Sequence, residues 1–85
     1  MSDSIFERTR LIVQRVAGAD RTPADVDEDT KLADGFWLDS VEMLEVVITC
    51  ETEFGIVFSE SGDLDVSSLE TIGSLAATIR RRLAE

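Results

Sequence analysis

The chain has 85 residues, of which 44% are apolar, with 18 acidic against 8 basic side chains and a formal net charge of −10. That length allows one small domain over residues 1–85 with a single core, and the apolar share is enough to fold it. So acidic a surface repels nucleic-acid phosphates and anionic membranes; it fits docking onto basic protein surfaces, or serves solubility alone.

One proline, no tyrosine and five glycines favour helices over short strands. Cys50 is the only cysteine, so no internal disulfide is available, which fits a reducing cytoplasm. Within "VVITCETEF" it reads as a small core residue. The opening "MSDSIFERTR" lacks the apolar run and basic leader of a signal peptide, and no stretch is long enough to span a membrane.

The first predicted helix runs from Asp3 or Ser4 to Val16, with Ser4 and Glu7 at capping-box spacing. Ile5, Thr9, Ile12, Val13 and Val16 share one face, and Gly18 sits where the helix stops. Residues 19–38 then form a long connection. Thr22-Pro23 is a candidate start for one helical turn, and Leu32 and Phe36 are expected to pin the loop to the core. Asp25, Asp27 and Asp29 match the first ligand positions of a calcium loop. Thr30 stands where that loop needs glycine, and Phe36 where it needs glutamate, so the metal reading fails.

The second predicted helix, Ser40 to Phe54, is the clearest: Asp39 as N-cap, Glu42 three residues on, Gly55 as the stop. The polar stretch "SESGDLDVSS" has room for a very short third helix. Ser67 and Glu70 repeat the capping spacing before a last helix from Ile72 to Leu83, whose stripe is Ile72, Leu75, Ala76, Ile79 and Leu83. Arg80, Arg81 and Arg82 suit the negative end of that helix.

On a wheel of about 100° per residue, Met43, Val46, Val47, Cys50 and Phe54 form the core stripe of the second helix. Val41 and Ile48 fall opposite, beside Glu45 and Thr52; Glu42 borders that outer face, with Leu44 and Glu51 between the faces on the other side. Scattered exposed aliphatics are ordinary, and a loop folded over them would also account for the pattern. The sharper reading is a docking surface of apolar contacts within an acidic ring, facing a basic rim on a partner.

Ser40 raises the question of chemistry. The chain has no histidine, so the usual nucleophile–base pair cannot be built, and Lys31, the only lysine, lies in the loop. No G-x-S-x-G elbow is present. Two readings stay open: a plain first helical residue, or an attachment point for a phosphodiester at the positive end of a helix.

The segment Leu38 to Ile56, "LDSVEMLEVVITCETEFGI", resembles acyl carrier proteins through Asp39, Ser40, Val41, Glu45, Glu51, Phe54, Gly55 and Ile56. "DEDTKLADGF" and "SLETIGSLAATI" extend the likeness over nearly the whole chain. The resemblance implies an all-α four-helix bundle with three main helices and a short third one. It implies a 4′-phosphopantetheine arm on Ser40, flanked by Asp39 and added from coenzyme A by a phosphopantetheinyl transferase. The protein would then be a carrier of acyl thioesters, not an enzyme. It would work as a cytoplasmic monomer serving acyl-activating, ketosynthase or acyltransferase-type enzymes of fatty-acid, polyketide or related lipid synthesis. The docking face would be Val41, Glu42, Glu45, Ile48 and Glu51. An aminoacyl or peptidyl carrier, or an interaction module without the arm, are the alternatives. The family commonly has glycine where Trp37 stands, which leaves that indole to line the arm, pack the loop or select a partner.

Overall fold

A computed structural model describes residues 4–58 and 68–84. Three α-helices make up the frame: α1 (Ser4–Ala17), α2 (Ser40–Phe54) and α3 (Ile72–Ala84), with a single 3-10 turn at Ala19–Arg21. The described residues are therefore all-helical; the expected short third helix and the capping role of Ser67 lie outside them. α1 packs against both α2 and α3.

The core is built from the stripes of all three helices. Ile12, Val13, Val46, Cys50, Ile72, Leu75 and Ile79 are almost wholly buried, joined by Phe58 from the segment after α2. Burial pushes the Cys50 thiol up to about 12, so it stays neutral and apolar in character. Leu83 departs from its expected stripe: at 42% exposed, it lies on a last turn that runs past the core. Thr78 is buried instead, its hydroxyl engaged with Ser68 Oγ at 3.0 Å.

The helix ends follow side-chain chemistry. Ser4 is the first residue of α1, and Glu7, expected to close a capping box with it, turns along the helix to Arg10 Nη2 at 2.6 Å. That bond holds the Glu7 carboxyl below its ordinary range. At α3 the caps are Thr71 and Ser74, each side-chain oxygen accepting from the other's backbone N–H at 3.0 Å. The expected helical turn starting at Thr22-Pro23 is absent. Thr22 has the extended backbone (φ −77°, ψ 123°) that a residue before proline adopts, but no helical residues follow Pro23 before α2, and the 3-10 turn precedes Thr22.

Leu32 and Phe36 are fully buried, as the loop pattern predicts. A second fastening carries no signal in the sequence. Leu32 N–H donates to Glu70 O, Ile72 N–H to Thr30 O and Gly73 N–H to Glu28 O, forming an isolated antiparallel bridge at Lys31 and Thr71. The backbones approach so closely that a Cβ on Gly73 would meet the Glu28 carbonyl oxygen at 2.8 Å. The loop is thereby stitched to the start of α3, and its far end delivers the chain to α2. The acidic part of the loop is organised locally: Asp27 Oδ1 accepts from the Asp29 N–H at 2.9 Å, an Asx turn.

Candidate functional site: the N-terminal end of α2

Asp39 is extended (φ −88°, ψ −179°) and caps α2. Its Oδ1 accepts from the Glu42 N–H at 2.8 Å, and Glu42 Oε1 accepts from the Asp39 N–H at 3.2 Å. The reciprocal capping box expected from the sequence is therefore formed. Ser40 is the first helical residue and is exposed. Its hydroxyl has no hydrogen-bond partner among the described residues. The amides of Ser40 and Val41 belong to the first turn, where no intrahelical acceptor exists.

The box is braced from outside by Arg21, which sequence reasoning missed. Its Nε donates to Ala17 O at 3.0 Å, the last residue of α1. Its Nη1 donates to Trp37 O at 3.2 Å and to Glu42 Oε1 at 2.8 Å, while Nη2 meets Glu42 Oε2. One guanidinium thus ties together the end of α1, the carbonyl two residues before the cap, and the capping box. The Arg21 bonds, helped by the Asp39 N–H, push the Glu42 carboxyl down to about 2. The same pairing raises the Arg21 guanidinium above its usual value. The partner residues are 21 apart in sequence, so no local spacing rule could have paired them.

Trp37 stands in the left-handed region (φ 58°), the one non-glycine residue with positive φ among those described. It is 67% exposed, so the indole does not pack the loop or the core. Its neighbours do: Phe36 is fully buried and Leu38 nearly so, with Leu38 N–H donating to Leu32 O at 3.2 Å.

The outer face of α2 separates the five expected docking residues into two groups. Val41 at 72% and Ile48 at 53% are exposed, and Glu45 is exposed beside them. Leu44, placed between the faces on the wheel, is 57% exposed and completes an apolar ridge. Glu42 and Glu51 are occupied within the chain. Glu42 is held by Arg21, and Glu51 accepts from the Phe58 N–H at 2.9 Å.

Chemically, this end of α2 offers an exposed hydroxyl at the positive pole of a helix, with no base beside it to take its proton. The Asp39 carboxylate is committed to the cap. Such a hydroxyl is open to a group transfer whose base another protein brings. It also fits a phosphate-linked group: the oxygen is uncommitted, the adjoining amides are free of intrahelical partners, and the dipole favours an anion.

A family model described as the phosphopantetheine attachment site matches residues 7–79. The chain is 28% identical to an acyl carrier protein of Thermotoga maritima, covering 95% of this chain and 94% of that one. It is 31% identical to an acyl carrier protein of Rhodococcus erythropolis, covering 98% and 86%. A third relative, the acyl carrier protein of Solidesulfovibrio magneticus, is 27% identical over 96% and 99%. No solved structure matches the chain. Among the described residues no helix is long and apolar enough to cross a membrane. Acyl carrier proteins are carriers, not enzymes; they hold 4′-phosphopantetheine covalently and work by meeting enzymes. This chain belongs to the acyl carrier protein family, marked by the phosphopantetheine attachment site.

Proposed function

We propose that Ser40 bears the 4′-phosphopantetheine arm and that the chain carries acyl intermediates of fatty-acid, polyketide or related specialised lipid synthesis. The observation that carries this reading is the state of Ser40: an exposed, uncommitted hydroxyl on the first turn of α2, inside the matched region. When bound, the group supplies a terminal thiol that holds an acyl chain as a thioester. The chain's own residues do the rest. Asp39 and Glu42 fix the first turn, and Arg21 fixes the turn to α1. Ser40 presents its oxygen to a transferase that must bring its own base, since none adjoins it here.

The partners in this reading are a phosphopantetheinyl transferase and acyl-activating, ketosynthase or acyltransferase-type enzymes. They meet a face centred on Val41, Leu44, Glu45 and Ile48, whose side chains make no hydrogen bond or ion pair among the described residues. Glu42 and Glu51 contribute charge to that face while holding the fold. A free, buried Cys50 accords with a monomer at work in a reducing cytoplasm.

Intact mass measured after incubating the apo protein with coenzyme A and a broad-specificity transferase tests the assignment. One added arm is expected, and none on Ser40→Ala. An arm that still attaches to Ser40→Ala would overturn the choice of residue.

A further inference from the structure

The backbone at Trp37 is set by its surroundings. Phe36 and Leu38 are buried on either side, Leu38 N–H is held by Leu32 O, and the Trp37 carbonyl accepts from Arg21. Together they impose φ 58°, a conformation in which glycine is at ease and a bulky L-residue is strained. The indole recovers little of that strain through packing, because it is 67% exposed. A strained residue whose side chain does so little for the fold is a pointer to a role outside it.

What covers the ring follows from its position. Three residues of chain reach at most about 11 Å, so Trp37 lies within that distance of Ser40. An enzyme that grips a carrier firmly buries about 800 Å² of it, far more than Ser40 alone offers. An enzyme acting on the Ser40 hydroxyl therefore lies over the neighbouring surface as well. That surface is mixed: Val41 is 72% exposed, and Asp39 and Glu45, close to it in sequence at the start of α2, are exposed on a chain of net charge −10.

We infer that Trp37 is a recognition contact for the enzyme that transfers the arm to Ser40, its indole seated in an apolar socket with a cationic rim. This rests on Ser40 being the attachment residue. Buried tryptophans dominate many interfaces, and truncating one commonly costs about five- to thirtyfold in affinity.

The test compares wild type, Trp37→Gly and Trp37→Phe as apo proteins with coenzyme A and one broad-specificity transferase. Thermal melting is recorded alongside. Trp37→Gly is expected to melt no lower than wild type and to lose about five- to thirtyfold in kcat/KM, chiefly through KM. Trp37→Phe is expected to recover most of the loss. Because Trp37 is the only tryptophan, a fluorotryptophan-labelled chain gives one fluorine NMR signal. That signal should move when transferase is added without coenzyme A.

Equal kinetic constants for Trp37→Gly and wild type, with Ser40 loaded in both, would overturn the inference and leave the attachment residue standing. A glycine variant that melts lower would overturn it in favour of a structural ring. A signal that moves on arm attachment but not on adding transferase would overturn it in favour of contact with the arm. A wild-type chain that takes no arm at Ser40 removes the reading and the inference together.

Discussion

The two ends of α2 are fastened by different chemistry. The C-terminal end is held mainly by burial and backbone geometry, with Glu51 accepting from the Phe58 N–H and Arg8 pairing with Glu53 as additions. Gly55 takes a left-handed turn (φ 66°), and its N–H and that of Ile56 return to Glu51 O. Phe54, Ile56 and Phe58 then enter the core, and the Arg8 guanidinium lies 4.3 Å from the centre of the Phe54 ring. The N-terminal end leans on the buried Leu38 before the cap and adds polar side chains: a capping box and one arginine. The contrast follows from what each end must present. Ser40 is exposed, so apolar burial does not fix its position, and charge-assisted hydrogen bonds of its neighbours hold the turn that carries it.

The contrast can be broken most forcefully at the buried end. Phe58 is 1% exposed, and Phe58→Ala removes an aromatic ring from the core. A loss of about 3–5 kcal/mol is expected in urea unfolding, the usual cost of such a truncation. For so small a domain this consumes much of the available stability. A smaller effect is expected at the other end. Asp39→Ala deletes the cap and should cost about 1 kcal/mol. Its hydrogen exchange should speed up in the first turn of α2 while the Phe54–Phe58 segment stays protected. Uniformly faster exchange would mean that the two ends are not separately fastened.

The same contrast explains what the sequence made legible. Both ends of α2 obey local rules, a capping spacing at Asp39 and Glu42 and a glycine stop at Gly55, so its bounds were predictable. Ser40 was readable as a helix start, and the Asp-Ser motif with its distant Phe-Gly-Ile tail pointed to the family. Arg21 was not readable, because its bonds to Glu42 and Trp37 exist only once the loop has folded back. The bridge between Lys31 and Thr71 was hidden for the same reason: backbone hydrogen bonds leave no side-chain pattern. Trp37 shows a third kind of gap. Its left-handed backbone is dictated by Phe36, Leu38 and Arg21, and nothing in an indole announces it. The exposure of Leu44 was not fixed by the wheel, which set it between the faces, since an idealised angle cannot say where a packed neighbour ends. Thr71 and Ser74 obey the capping rule, but the neighbouring Ser67–Glu70 pair has the same spacing, so local spacing alone does not choose between them.

The subtlest separation of the two ends is by acid. The Glu42 carboxyl is held down to about 2 from an ordinary 4.5, first by the Arg21 side chain and then by the Asp39 N–H. Because the folded value lies below the unfolded one, the unfolded chain takes up this proton first. The stabilisation is therefore complete above the ordinary value, fades as pH falls below it, and is gone once Glu42 is protonated near 2. Solvent reaches both partners of the pair, so its effect on global stability is the smallest of the three. The local signature is sharper. In a carboxyl NMR titration Glu42 should titrate near 2 in wild type and close to its ordinary range in Arg21→Gln. Backbone signals of Ser40 and Val41 should move with it, while those of Phe54 and Ile56 should not follow the Glu42 step, because the carboxylates at that end, Glu51 and Glu53, are bonded to the Phe58 N–H and to Arg8 and not to Arg21. If Arg21→Gln left the Glu42 titration unchanged, the capping box alone would be holding the serine's helix turn, and Arg21 would have no part in presenting it.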